Sequence, residues 1–199
     1  MEMSDAAFAD YTANLTAELA EICQKLNNEA YYHDALKLLM ACYQRGGRIH
    51  VTGVGKPMHI AGYIASLFSS IGFHAYTLDG TEATHGSAGQ VSPKDVVIVL
   101  SYYGNPSEIV KTMQLLHSLG IQMIAVTGFD ESEAARIADV HLNVHIGKEG
   151  DPIGKPPRVS MLSTMICLQN LSVLFQSVRK LTPEEYLQWH PSGEIGKSK

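Results

Sequence analysis

The sequence has few cysteines, and their placement excludes two classes of small stabilised domain. Cys23, Cys42 and Cys167 are the only three among 199 residues, and they lie far apart without a C-x-x-C pair. Disulfide frameworks and structural zinc sites need paired, closely spaced cysteines. We therefore expect neither a disulfide nor a bound metal, and we expect each cysteine to act as a small core residue.

Long apolar runs and an excess of basic charge are also missing. Uninterrupted apolar stretches such as Val96–Leu100 have about a quarter of the roughly twenty residues that cross a bilayer. The first ten residues, MEMSDAAFAD, lack the basic start and apolar centre of a secretory signal. The 15 Lys and Arg residues are scattered among 20 Asp and Glu, whereas nucleic-acid-binding proteins cluster their basic residues. We expect a cytoplasmic protein with neither a membrane nor a nucleic-acid partner.

The remaining composition is that of one folded domain. Hydrophobic residues make up 45% of the chain, and the formal net charge is only -5. A disordered chain would have lower hydrophobicity and higher net charge. A chain of this length can bury roughly 70% of its unfolded surface around a single core. Because no repeat or Ser/Gly-rich linker divides the sequence, we predict one domain over residues 1–199.

Short apolar runs alternate with helical patterns through the middle of the chain. The runs lie at 48–55, 74–78, 96–100, 123–126 and 140–144, and the segments between them repeat apolar residues at three- and four-residue steps. The run at 96–100 does not alternate, which is typical of a strand buried on both faces of a parallel sheet. The pattern predicts an α/β fold with a doubly wound sheet of five parallel strands.

Further helices are predicted at both ends of this core. Apolar periodicity at 8–22 and 36–43 indicates two helices within about residues 4–46. The segment 159–178 is apolar nearly all round, so we expect it to be buried on several sides, against the sheet and against a second subunit. Residues 182–199 begin with a short helix that Thr182 and Glu185 would cap, and they continue as a polar tail.

Glycines and polar residues concentrate where the predicted strands end. Ligands of open parallel sheets bind beyond the carboxyl ends of the strands. Gly53 and Gly55 would let the backbone approach a ligand, and helix starts near Lys56 and Ser107 would offer free N–H groups to a phosphate. The motifs G-x-G-x-x-G and G-x-x-x-x-G-K-[ST] are both absent. The pattern predicts an anion site rather than a nucleotide site, although the glycines alone fit plain turns equally well.

Four residues could carry acid–base chemistry at these ends, namely Lys56, His85, Glu108 and His190. Each has a plainer explanation alone: a solvated charge for Lys56, a surface loop position for His85, a favourable first-turn charge for Glu108 and an incidental residue of a polar tail for His190. Their combination with adjacent strand ends makes them candidate catalytic residues. The candidate substrate-binding residues are Gly53, Gly55, Glu82, Ser101, Gly104, Ser107 and Ser160.

Three segments of the chain resemble the sugar isomerase (SIS) domain of arabinose-5-phosphate isomerases. They read GVGKPMHIAGYIASLFSSIG, TEATHGSAGQVSPKDVVIVLSYYGNPSEI and HPSGEIGKS. The G-x-G-K turn, the E-A-x-H-G loop, the S-x-x-G-x-x-S-E turn and the H-P-x-G tail occur in the family's order, over about residues 8–198. The resemblance is to a short member that consists of the SIS domain without the tandem CBS domains.

The resemblance implies a flavodoxin-like αβα sandwich, a homo-tetramer, no cofactor and a phosphosugar substrate. The implied reaction interconverts D-arabinose 5-phosphate and D-ribulose 5-phosphate through an enediol. Such a reaction needs a base for a carbon-bound proton and a donor for the enediolate oxygen. By position, Glu108 or His85 would transfer the proton, His190 would open the sugar ring and Lys56 would balance phosphate or oxyanion charge.

The predicted phosphate-binding loops depart from the family's serine-rich pattern. The family has G-x-G-K-S and S-N-S-G-E-S-S, whereas Ser101 and Ser107 are the serines retained here. The substituted positions are Pro57, Tyr103, Asn105 and Pro106. Two alternatives stay open: an isomerase of another phosphosugar, such as a hexulose 6-phosphate, and a non-catalytic phosphosugar-binding module.

Overall fold

A parallel β-sheet forms the centre of the protein. The computed structural model describes residues 5–190 and 192. The sheet has the order β2-β1-β3-β4-β5 and all its pairings are parallel. Its strands are β1 (Ile49–Gly53), β2 (Ala75–Asp79), β3 (Val96–Leu100), β4 (Gln122–Thr127) and β5 (Val140–Asn143). The predicted five-stranded parallel sheet is confirmed, with the flavodoxin-like strand order.

Seven α-helices and two short 3₁₀ turns surround the sheet in the part of the chain that is described. The helices are α1 (Asp5–Leu26), α2 (Glu29–Gln44), α3 (Lys56–Ser70), α4 (Ser107–Ser118), α5 (Glu133–Ile137), α6 (Val159–Arg179) and α7 (Pro183–Gln188). The 3₁₀ turns are Glu82–His85 and Ser87–Gln90.

The pleat of the strands divides the core into two layers. In β3, Val96, Ile98 and Leu100 belong to one buried cluster with residues of α1, α2, α3 and α6. Val97 and Val99 belong to a second cluster with residues of α4, α5 and the 3₁₀ turns. Successive side chains of a strand point to opposite faces, so β3 must be apolar throughout to fill both layers. The predicted three-layer αβα architecture is confirmed.

Two local predictions are wrong. Residues 79–89 were predicted to be a polar loop, but they contain the two 3₁₀ turns, which bury Ala83 and Ala88. Such short helices leave only one apolar side chain each and no periodic signal. Cys23 was predicted to be a core residue, but it is exposed on α1, whereas Cys42 and Cys167 are buried. Within the described residues, no group of three or more His, Cys, Asp or Glu side chains could hold a metal ion.

Helix α6 packs centrally, in contact with α1, α2 and α3. Its 21 residues and mean hydropathy of 1.3 would suffice for a membrane span, a property that counting uninterrupted apolar residues missed. Half of the apolar segment is buried inside the domain. The core helix of a globular domain can have the same length and hydropathy as a membrane span. Val173 and Val178 remain exposed on its outer face.

The end of α6 anchors α7 at the amino-terminal edge of the sheet. Thr182 and Glu185 form the predicted capping box of α7. The Arg179 guanidinium donates to the Tyr43 hydroxyl at 2.8 Å and lies over the Trp189 ring, 5.4 Å from its centroid. The Trp189 ring in turn covers Gly72, just before β2. Of the predicted tail, residues 191 and 193–199 lie outside the described residues.

Candidate functional site

The strand order reverses between β1 and β3, and this switch point is where an open parallel sheet binds ligands. Strand β1 pairs with β2 on one side and with β3 on the other, so Gly53 lies beside both Asp79 and Leu100. Helix α3 leaves β1 towards one face of the sheet, and α4 leaves β3 towards the other. The two helices therefore begin close to the same crevice.

The N-termini of α3 and α4 are open to a ligand. In the described chain, neither Gly55 before α3 nor Pro106 before α4 supplies a side-chain cap. The first N–H groups of a helix have no partner within it and carry the positive end of the helix dipole. Other helices are capped by a side chain in the usual way, α2 by Asn28, α5 by Ser132 and α7 by Thr182. Arg158 does not cap α6 either, but the Glu149 side chain accepts from N–H groups at the start of that helix. The uncapped starts of α3 and α4 lie at the switch point, which indicates an anion site.

Gly53 allows a close approach, but to its own chain rather than to a ligand. A Cβ at this position would lie 2.8 Å from Pro57 Cβ and 3.1 Å from the Leu100 carbonyl oxygen. Gly55 has a φ of 70° and would meet nothing within 4 Å. Gly53 therefore lets the first turn of α3 pack onto the end of β1, and Gly55 supplies the left-handed turn that starts the helix.

The loop after β2 is tied to α4. Thr112 Oγ1 donates to the Gly80 carbonyl at 2.6 Å, and Asp79 Oδ1 accepts from the backbone N–H groups of Thr81 and Glu82 at 2.8 and 3.0 Å. These hydrogen bonds lower the pKa of Asp79 because they stabilise its charged form. They place the 3₁₀ turn that carries Glu82 and His85 beside the helix that carries Glu108.

The turn after β3 is stabilised from within. The buried Ser101 hydroxyl accepts from the Gly104 N–H at 3.2 Å. Gly104 has a φ of 67°, and a Cβ there would clash with the Ser132 side chain, so glycine is required. Ser107 Oγ donates to Glu108 Oε2 at 3.2 Å. Ser101 and Gly104 thus shape the turn, while Ser107 and Glu108 stand at the open start of α4.

Most of the predicted residues lie on neighbouring loops at one edge of the sheet. Lys56 begins α3, Glu82 and His85 form the ends of the 3₁₀ turn, and Glu108 lies in the first turn of α4. All four side chains are exposed in the single chain. A carboxylate or imidazole that must take a proton from carbon acts best when water is excluded. Within the described chain, these four side chains are left open to water.

His190 lies away from this edge. Its Nδ1 is 2.9 Å from the Tyr186 carbonyl oxygen, and its ring stacks on that of Tyr186 at 4.1 Å. The neighbouring Trp189 lies against Gly72 at the amino-terminal end of β2. The five residues of β2 span roughly 16 Å. The structure places His190 at the opposite edge of its own sheet from Lys56.

The Ser160 side chain is occupied by a contact within the chain. Its buried hydroxyl donates to Glu149 Oε1, and Glu149 Oε2 accepts from the backbone N–H groups of Arg158 and Ser160 at 2.7 and 3.2 Å. Glu149 thereby stabilises the start of α6 and holds the hydroxyl of Ser160, which was predicted to bind substrate. Sequence reasoning missed Glu149 because it lies nine residues before Arg158, outside any capping pattern.

An aromatic cluster at the ends of β3 and β4 was missed as well. Tyr102, Tyr103 and Phe129 contact one another through their rings, and His145 packs edge-on against Phe129 at 5.4 Å. Burial raises the pKa of Tyr102, whose hydroxyl accepts from the Ile146 N–H at 3.3 Å. The two adjacent tyrosines in the turn could have indicated an aromatic cluster, but nothing in the sequence indicated that Phe129 would pack against them.

The SIS domain model matches residues 43–174, which include the whole sheet and most of α6. The chain belongs to the SIS domain family. This SIS domain is 36% identical over 179 residues to the arabinose 5-phosphate isomerase KdsD of Shigella flexneri, covering 90% of the present chain and 53% of the relative. The chain thus spans about half the length of the curated relatives that it matches.

Solved structures share the architecture of this SIS domain. The E. coli CFT073 protein c3406, in complex with arabinose 5-phosphate, superposes with a TM-score of 0.84 at 25% identity, over 95% of this chain and 100% of that one. The Vibrio vulnificus NanR protein complexed with ManNAc-6P has a TM-score of 0.69 at 17% identity, over 93% of this chain and 65% of that one. The likeness to NanR shows the fold alone.

Proposed function

We propose that this SIS domain is an aldose–ketose isomerase of phosphosugars, with D-arabinose 5-phosphate and D-ribulose 5-phosphate as its substrate pair. The observation that carries the proposal is the pair of uncapped helix N-termini at one switch point, with Lys56 at one and Glu108 at the other. The names of the relative KdsD and of the c3406 complex support the choice of substrate.

The helix N-termini account for substrate binding. A phosphate in the crevice accepts hydrogen bonds from the first N–H groups of α3 or α4 and gains from both dipoles. Lys56 adds a positive charge, and the Ser107 hydroxyl is a further donor at the start of α4. Pro57 has no N–H, so the start of α3 contributes the Lys56 N–H and charge, and the start of α4 contributes further backbone donors in place of the missing serine hydroxyls.

The proposed chemistry is a proton transfer between neighbouring carbons. Glu108 or His85 removes the C2 proton of the open-chain aldose, the electron pair forms the C1–C2 double bond, and the carbonyl oxygen gains negative charge. Lys56 stabilises that oxygen or the phosphate. Return of a proton to C1 and loss of the proton from the C2 hydroxyl give the ketose. No cofactor takes part in this scheme.

His190 would open the sugar ring in a neighbouring copy. Because α7 ends at the amino-terminal edge, His190 cannot reach the switch point of its own chain. A second copy would also cover the exposed side chains of the crevice. We therefore propose the homo-tetramer as the active form, with the crevice completed by a partner.

Heavy water provides the test of the reaction. Incubation with arabinose 5-phosphate in D₂O, followed by NMR, should show ribulose 5-phosphate forming and deuterium entering at C1 or C2. The Glu108→Gln variant should lower turnover by roughly a hundredfold while keeping the wild-type melting temperature. Lys111→Gln, on the exposed surface of the same helix, is the matched control and should keep full turnover.

The outcomes separate the alternatives. Full activity in Glu108→Gln would show that Glu108 only supplies a favourable charge at the start of α4. A panel of five- and six-carbon phosphosugars identifies a different substrate if one of them turns over much faster. Phosphosugars that raise the melting temperature without isomerising or gaining deuterium would instead establish a binding module.

A further inference from the structure

The Tyr103 ring is large, exposed and held in place. It is 60% exposed, yet it stacks on the Phe129 ring with a centroid distance of 5.9 Å and an interplanar angle of 12°. Phe129 is itself 38% exposed. Exposed single apolar residues are common, but two aromatic rings stacked in parallel beside a candidate binding site form a defined surface.

The backbone beneath the two rings is well supported. The Gly128 N–H donates to the Tyr102 carbonyl at 2.7 Å, which joins the turn after β3 to the turn after β4. His145 Nδ1 lies 3.0 Å from the Gly128 carbonyl oxygen, and its ring packs against the edge of Phe129. The stack is therefore formed before any ligand arrives, which reduces the entropic cost of using it in binding.

The stack borders the proposed anion site on the β4 side. Tyr103 lies between Ser101 and Ser107, in the turn that leads into the open N-terminus of α4. Aromatic ring faces carry partial negative charge, so they disfavour a phosphate and favour C–H groups of positive character. The carbohydrate part of a phosphosugar presents such C–H groups, while its phosphate fits the helix N-termini.

We propose that Tyr103, supported by Phe129, is a specificity-determining residue that packs against the C–H-bearing face of the substrate's carbon skeleton. The inference rests on the proposed function and deepens it. The helix N-termini bind the phosphate common to all candidate substrates, and the Tyr103 ring discriminates among their carbon skeletons.

Calorimetric binding of two probes tests the proposal. Arabinose 5-phosphate has a carbon skeleton and inorganic phosphate has none. The Tyr103→Ala variant should weaken binding of arabinose 5-phosphate by about three- to tenfold, the range expected for loss of one aromatic contact, and leave phosphate affinity unchanged. Tyr103→Phe should stay within about twofold of wild type for both probes, because it keeps the ring.

Tyr63→Ala serves as the matched control. Tyr63 is an exposed tyrosine of α3, 41% accessible, whose hydroxyl accepts from Gln169 Nε2 at 2.9 Å. This variant should bind both probes as the wild type does. Equal weakening of both probes in Tyr103→Ala would overturn the proposal, as would unchanged binding of arabinose 5-phosphate. A loss in Tyr103→Phe as large as in Tyr103→Ala would also overturn it, because the hydroxyl and not the ring would then be responsible.

The binding assay keeps this inference separate from the proposed function. If wild-type protein binds arabinose 5-phosphate but isomerises no phosphosugar, the isomerase proposal fails, and a selective loss in Tyr103→Ala still supports the role of the ring. If the wild type isomerises and Tyr103→Ala leaves both binding and the ratio of kcat/KM values between phosphosugars unchanged, only this inference fails. Wild-type protein that binds no phosphosugar would overturn both.

Discussion

Replacing Gly53 by alanine should disturb the joint between β1 and α3, which supports one side of the proposed anion site. The added Cβ would lie 2.8 Å from Pro57 Cβ and 3.1 Å from the Leu100 carbonyl oxygen. Neither neighbour can move aside easily. The Pro57 ring restricts the backbone of the first turn of α3, and Leu100 is hydrogen-bonded within the centre of the sheet.

The magnitude follows from these distances. Carbon atoms pack best at about 3.5–4.0 Å, so β1 and α3 must separate by nearly 1 Å. Forcing an extra carbon into a well-packed position typically costs about 1–3 kcal/mol. For a chain of this size, that lowers Tm by about 2–12 °C. The same shift should weaken binding of inorganic phosphate, because the N–H groups at the start of α3 move with the helix.

Gly62→Ala provides the control on the same helix. A Cβ at Gly62 would meet nothing within 4 Å, and alanine in a helix interior is favoured over glycine. This variant should unfold at the wild-type temperature or higher and bind phosphate normally. The assay is thermal unfolding and phosphate calorimetry on both variants. Wild-type stability in Gly53→Ala would refute the reasoning, because it would show that the close contact is not maintained in solution.

Two further predictions concern acid stability and assembly. His50 is buried on β1, with Nε2 3.6 Å from Asp95 Oδ2, and burial lowers its pKa. Because the unfolded chain takes up this proton near pH 6.5 and the folded chain does not, stability should fall as pH drops below 6.5. His50→Gln should reduce that fall, measured as urea midpoints at about pH 7.5 and about pH 5.5; an unchanged difference between the two midpoints would contradict this prediction. Oligomers reassembled from Glu108→Gln and His190→Ala chains should regain activity that neither variant has alone. In such oligomers, some sites contain a native Glu108 from one chain and a native His190 from its neighbour. A mixture no more active than its parts would exclude action of His190 in a neighbouring copy.

Much of the fold could be predicted because buried strands and helices have recognisable patterns of apolar residues along the chain. The unbroken run at 96–100 marks β3, which must fill both layers of the core. Lys56 and Ser107 were predicted as approximate helix starts, and α3 and α4 begin at these residues. The 3₁₀ turns and the exposure of Cys23 were not predicted, because a single apolar residue in a short segment does not report whether the surrounding fold covers it.

The candidate site was predictable only in part. Polar and glycine residues at the predicted strand ends were enough to place Lys56, His85 and Glu108 at one edge of a parallel sheet. Three other arrangements depend on how the elements pack: the stack of Tyr103 on Phe129, the hydrogen bond of Ser160 to Glu149 and the position of His190 at the opposite edge. Periodicity and turn chemistry depend on near neighbours in the chain. These three arrangements join residues from separate elements, and their partners are set by strand order and packing.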